Sequence, residues 1–213
     1  MEPCSGQVFS AASAEGNCAF EQGETGHMLL VIVTDIFGAQ SELLLQFEQL
    51  HSDYVCIQPY DHQPPVFSDD HHAYQYFLQH GGLDAYTYKL NRCLTEYAVQ
   101  QQPVFLLGFS AGAAACWMNL ASKQLTIKAC VGFYGSQIRQ MTHLTPFYPT
   151  ELIFAEETHF SVPELMSALA DKANLKQSLV PYPHGFINVL SQGYSAEAAG
   201  VYWEKIKAGY FIQ

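Results

Sequence analysis

The 213 residues, 49% hydrophobic and 14% charged, suffice for one globular domain with a core on both faces of a sheet. Nine Lys and Arg against twenty Asp and Glu leave a formal charge of −11, which argues against nucleic acid or an anionic membrane surface as partner. Arginine occurs only at Arg92 and Arg139, so a bidentate clamp on an anionic substrate has few donors.

Residues 7–27 hold short apolar pieces broken by Gly and Asn, as in an opening hairpin or edge strand. Met28–Val33 reads as a buried strand, Ser41–His51 as a helix with a Ser cap, and Tyr54–Pro59 as the next strand. Asp84–Gln102 has a helical pattern stopped by Pro103, followed by the strand Val104–Leu107 and the small-residue helix Ala111–Lys123. Strands are expected at Ile127–Phe133 and Leu152–Ala155, then a helix from about Pro163 to Asn174. A last strand, Gln177–Pro181, precedes a closing helix, Ser195–Ala208. Continuous apolar strands alternating with helices predict an α/β fold, a mostly parallel central sheet with helices on both faces. No repeat or linker composition divides residues 1–213, so a single domain is expected. In such folds, sites form at the carboxyl ends of the strands.

Gly108-Phe-Ser-Ala-Gly112 lies between the strand and the Ala-rich helix. A Ser on a strained strand-to-helix turn projects its hydroxyl above the sheet, and its flanking glycines avoid strand and helix. The helix N-terminus beneath it favours a developing anion. By itself the pattern is cheap, and any glycine-bordered turn can match it; the strand, elbow and helix in order make Ser110 the candidate nucleophile.

A Ser nucleophile needs a base, and in this type of site the chain order is Ser, acid, His. Three His follow Ser110, and His184 in Pro181-Tyr-Pro-His-Gly-Phe186 lies between the last strand and the final helix, where the base belongs. The acid is expected after the strand ending at Ala155, where Glu156 and Glu157 are the local carboxylates. Either could orient the imidazole, and either could be a solvated loop charge.

Val31-Ile-Val-Thr-Asp-Ile-Phe-Gly38, the elbow Gly108–Gly112, Gly132-Phe-Tyr-Gly135, His159-Phe160 before Val162-Pro163, and Pro183-His-Gly-Phe186 together resemble the dienelactone hydrolase family, a compact branch of the α/β-hydrolases. The resemblance covers about Leu29 to Trp203. It implies that His184 is the catalytic base and that Ser110 stands where the family usually carries Cys. It implies backbone N–H groups of Ile36 and Ala111 as the oxyanion hole. Asp35 stands where the family has an acidic residue, usually Glu, and is a candidate proton relay. The family's acid, an Asp directly before the His-Phe pair, is replaced by Thr158. A threonine cannot neutralise an imidazolium, so Glu157 takes over from the adjacent position, the triad is weakened, or catalysis is lost. Of the two carboxylates, Glu157 is nearer the lost Asp. A substrate-binding Arg four residues after the catalytic His is replaced by Asn188.

The expected activity is that of a carboxylic ester hydrolase, acting on a small neutral ester, lactone or thioester through an acyl-enzyme on Ser110. The alternative is a weakened or inactive relative that binds a small molecule or protein. No cofactor or metal is expected: Asp69-Asp-His-His72 reads as a loop or helix start capped by Asp69 or Asp70, since adjacent residues cannot all face one ion. The Pro-rich connection Pro59–Asp70 is a candidate pocket mouth, and Tyr134 a candidate pocket wall. Residues 1–20 lack a basic start and apolar run, and no apolar stretch is long enough to span a membrane. The six Cys, scattered without a CxxC pair, read as reduced thiols of a cytoplasmic protein, monomer or homodimer.

Overall fold

The computed structural model describes residues 7–9, 28–50 and 54–209. Among these, seven strands form one sheet in the spatial order β1-β3-β2-β4-β5-β6-β7. They are β1 (Gln7–Phe9), β2 (Leu29–Val33), β3 (Tyr54–Ile57), β4 (Val104–Phe109), β5 (Ile127–Phe133), β6 (Thr150–Glu156) and β7 (Leu175–Pro183). Strands β2 to β7 run parallel, and β1 pairs antiparallel with β3 at the edge. β1 is the described part of the edge strand or hairpin expected in 7–27; residues 10–27 lie outside the described residues.

Among the described residues six α-helices accompany the sheet: α1 (Ser41–Phe47), α2 (Asp70–Gln79), α3 (Gly82–Val99), α4 (Ala111–Leu120), α5 (Val162–Leu169) and α6 (Ala196–Lys207). The period-2 alternation of β4 decides which face each side chain joins. Phe105, Leu107 and Phe109 join the core cluster that holds Phe47 of α1 and Trp203 of α6, while Val104 and Leu106 join the one that holds Leu90 of α3, Trp117 of α4 and Leu165 of α5. Every residue of β4 is buried, as a central parallel strand covered on both sides requires. Each such Leu or Phe contributes roughly 1.5–3 kcal/mol by leaving water.

The structure differs from the sequence expectation at several ends. Ser41 does not cap α1; Gln40 is the N-cap residue, and its amide donates instead to the carbonyls of Pro64 and Pro65 at 3.4 and 3.1 Å. Helix α5 stops at Leu169, and the chain turns at Asn174 with φ 61°, its amide donating to the carbonyls of Pro146 and Phe147. Asp69-Asp-His-His72 is a helix start, with His72 N donating to Asp69 Oδ1 at 2.7 Å. Periodicity did not extend that start into α2. Among the described residues no group of three or more His, Cys, Asp or Glu is arranged to hold a metal. No helix among them is long and apolar enough to cross a membrane. Cys56, Cys116 and Cys130 are free thiols, but Cys93 is disulfide-bonded, so the expectation of six reduced thiols does not hold.

Candidate active site

Strand β2 lies between β3 and β4, and the chain leaves β2 and β4 toward opposite faces of the sheet, to α1 and α4. Connections that diverge in this way open a crevice at the carboxyl ends of the two strands. Ser110 sits at that point, between β4 and α4, with φ 50° and ψ −114°. A non-glycine residue held there carries about 1–3 kcal/mol of strain. Two glycines make the turn feasible. A Cβ at Gly108 would lie 2.8 Å from Ala113 Cα, and one at Gly112 would collide with the carbonyl oxygens of Val33 and Thr34. The turn is fastened by Ser110 N donating to Phe133 O at 2.9 Å and by Ala114 N donating to Ser110 O at 3.1 Å.

Ser110 Oγ lies 2.8 Å from His184 Nε2, and His184 Nδ1 lies 2.6 Å from Glu157 Oε1. The register of β6 and β7 explains the second contact: Glu156 pairs with Pro183, so the next residues of each chain, Glu157 and His184, meet beyond the strand ends. Glu156 and Thr158 are exposed and outside this line, whereas the Glu157 side chain is only 11% exposed. A carboxylate on Nδ1 holds the proton on that nitrogen, which leaves Nε2 free to accept from the Ser110 hydroxyl. The 2.6 Å separation is that of a charge-assisted hydrogen bond.

Ile36, following β2, and Ala111, at the first turn of α4, line the same pocket as Ser110 and His184. Among the described residues neither backbone N–H has an acceptor. Asp35 lines the pocket too, but its carboxylate is otherwise engaged: Oδ1 accepts from Phe37 N at 3.0 Å and Oδ2 from Asn188 Nδ2 at 2.6 Å. It makes no hydrogen bond to Ser110 or His184 among the described residues. Burial pushes its pKa from 3.8 up to about 6, against the lowering effects of Asn188, the Phe37 N–H and the His184 charge. Asn188, at the position where the resemblance implied an arginine, thus ties the loop carrying His184 to the loop carrying Asp35.

The pocket encloses about 360 Å³. Asp70 and Tyr74 of α2 bound it, as do Arg139 and His159. Asp70 accepts from Ser191 Oγ at 2.9 Å and Gln192 N at 3.0 Å, a second tie to the loop that follows His184. Sequence reasoning did not place Arg139 here; the signal available was its position just beyond Gly132-Phe-Tyr-Gly135. Tyr134 is buried behind the imidazole, its ring centroid 5.1 Å from that of His184.

The strand order and the strand–elbow–helix unit define the fold of an α/β-hydrolase. The model of the dienelactone hydrolase family matches residues 21–211, and the chain belongs to that family. One relative, the uncharacterized protein YczH of Bacillus subtilis (strain 168), is 24% identical over 170 residues, 75% of this chain and 81% of that one. Among solved structures, TT1662 from Thermus thermophilus superposes with a TM-score of 0.54 at 14% identity, covering 89% of this chain and 91% of its own. Dienelactone hydrolase from Anabaena variabilis ATCC 29413 gives 0.51 at 15% identity, covering 85% and 86%. At these identities the likeness is one of fold.

Proposed function

We propose that the protein is a serine hydrolase that cleaves a small neutral ester, lactone or thioester by two-step acyl transfer. The observation that carries this reading is the unbroken hydrogen-bonded line from Ser110 through His184 to Glu157. Ser110 Oγ attacks the substrate carbonyl carbon while His184 Nε2 takes its proton. Glu157 holds the imidazole and stabilises the imidazolium that forms. The N–H groups of Ile36 and Ala111 receive the negative charge on the carbonyl oxygen. His184 returns the proton to the leaving oxygen or sulfur, then activates the water that releases the acyl group.

A hydroxyl is far less acidic than a thiol, so Ser110 depends on this base more than a cysteine would. The charges around the pocket argue for a neutral substrate. Asp35 and Asp70 both line it, and Asn188 donates to Asp35 rather than offering a cation. Arg139 is engaged by the Ser136 carbonyl at 2.7 Å and by the Phe160 ring at 4.8 Å. The non-catalytic alternative draws its support from the acid lost at Thr158, and the Glu157 contact at 2.6 Å to His184 Nδ1 favours the catalytic reading over it.

A fluorophosphonate probe tests the proposal. Covalent labelling of the folded protein is expected at Ser110, with none in Ser110→Ala, alongside turnover of p-nitrophenyl esters or simple lactones. Folded wild-type protein that neither labels nor turns over these substrates would overturn the hydrolase reading.

A further inference from the structure

The Ile36 N–H shares its peptide unit with the carbonyl of Asp35. That carbonyl accepts from Gly38 N at 3.1 Å and from Thr34 Oγ1 at 3.2 Å. In a planar trans peptide the N–H points away from its own C=O, so fastening the carbonyl fixes the direction of the Ile36 N–H. The next peptide unit is held at both its polar atoms. Tyr60 Oη donates to Ile36 O at 2.6 Å, and Phe37 N donates to Asp35 Oδ1 at 3.0 Å.

Tyr60 comes from the segment after β3 and is only 2% exposed. Tyr76 of α2 and His80, the residue that caps its C-terminus, meet its ring edge-on, with centroids 5.1 and 5.6 Å away, which keeps the hydroxyl aimed at one carbonyl. Beneath it, Thr34 N donates to Ile57 O at 3.0 Å, and Tyr86 Oη lies 3.0 Å from Thr34 O and 2.8 Å from Ile57 O. The loop is therefore anchored to the ends of both β2 and β3.

We propose that Tyr60 is a positioning residue which, through the Ile36 carbonyl, holds the Ile36 N–H in the direction that receives the oxyanion. The inference rests on the serine-hydrolase reading and extends it to a side chain that touches neither substrate nor triad. A donor aimed at the developing oxyanion acts on the transition state more than on the bound ester. Loosening it therefore lowers kcat and leaves KM nearly unchanged.

The test compares wild type with Tyr60→Phe, which keeps the ring and removes the donor, on p-nitrophenyl acetate and on a trifluoromethyl ketone. In the ketone adduct a bond forms between Ser110 Oγ and the carbonyl carbon, the serine proton passes to His184, and the former carbonyl oxygen becomes an oxyanion. Deleting a whole oxyanion donor costs about 100- to 1,000-fold in kcat, so misaiming one is expected to cost roughly 10- to 100-fold. The ketone's inhibition constant should rise by the same factor while KM holds. Thr34→Val, which removes the side-chain donor to the Asp35 carbonyl, should give a smaller loss of the same pattern and serves if Tyr60→Phe fails to fold.

Wild-type kcat and ketone affinity in folded Tyr60→Phe would overturn the assignment, as would a kcat loss without a matching loss of ketone affinity. A purely structural role would lower the melting temperature without that parallel. If wild type itself fails to label with fluorophosphonate, the hydrolase reading falls instead, so the two failures are distinguishable.

Discussion

Asp35 offers a test of the site's electrostatics that needs no substrate. Its folded-state pKa of about 6 lies above the ordinary 3.8 because burial penalises the charged form more than its two N–H partners favour it. An unfolded Asp titrates near 3.9, and each unit of difference is worth about 1.4 kcal/mol. Two units make the ionised carboxylate cost about 3 kcal/mol of stability at pH 7. The sign follows from the direction of the shift. The folded chain holds the proton more tightly than the unfolded one, so the contribution is fully present below about pH 4 and lost as pH rises through 6. Urea unfolding of wild type and Asp35→Asn, measured side by side from pH 4 to pH 8, isolates this group, because shared titrations cancel in the difference. Wild-type stability relative to the variant should fall by about 2 kcal/mol between pH 4 and pH 7, since part of the cost is already present at pH 4. The variant also carries a pH-independent offset. Asn188 Oδ1 already accepts from Leu190 N at 2.8 Å, so Asn188 cannot simply flip to pair with a neutral amide. A difference that stays flat with pH refutes the desolvation argument. One that rises with pH would mean that the Asn188 and Phe37 bonds outweigh burial.

Two further outcomes follow from the geometry. Glu157→Gln leaves the imidazole without a negative partner and should lower kcat by roughly 100- to 10,000-fold on p-nitrophenyl esters, whereas Glu156→Gln should leave it unchanged. Equal activity in both variants would discard Glu157 as the acid. Gly112→Ala forces a methyl group into the carbonyls of Val33 and Thr34, so urea denaturation should show a loss of about 1–3 kcal/mol. An unshifted midpoint would mean that the elbow has more room than its backbone contacts suggest.

Much of the architecture was legible because it is local. Unbroken apolar runs marked β2 and β4, and the glycines of Gly108–Gly112 marked a turn whose need for space is set by its immediate neighbours. Helix α2 was missed beyond its start because its sequence, with His, Tyr and Gln throughout, carries only Ala73 and Phe77 as buried residues. The end of α5 was placed too late: the helix stops at Leu169, and the expected last residue, Asn174, instead turns the chain with its amide on carbonyls of a distant loop.

Sequence alone determined the sheet-and-helix class, the elbow at Ser110 and the base candidate at His184, since each rests on the order of residues along the chain. It narrowed the acid to two adjacent glutamates and went no further, because neighbouring side chains in a loop have no fixed alternation. Tertiary structure separates the two by position: the pairing of Glu156 with Pro183 brings Glu157 against His184 and leaves Glu156 exposed. It also decided what no linear pattern encodes, the contacts of Tyr60 with Ile36 and of Asn188 with Asp35, across 24 and 153 residues. Contacts at such separations depend on strand order and loop direction, and those exist only once the sheet has assembled.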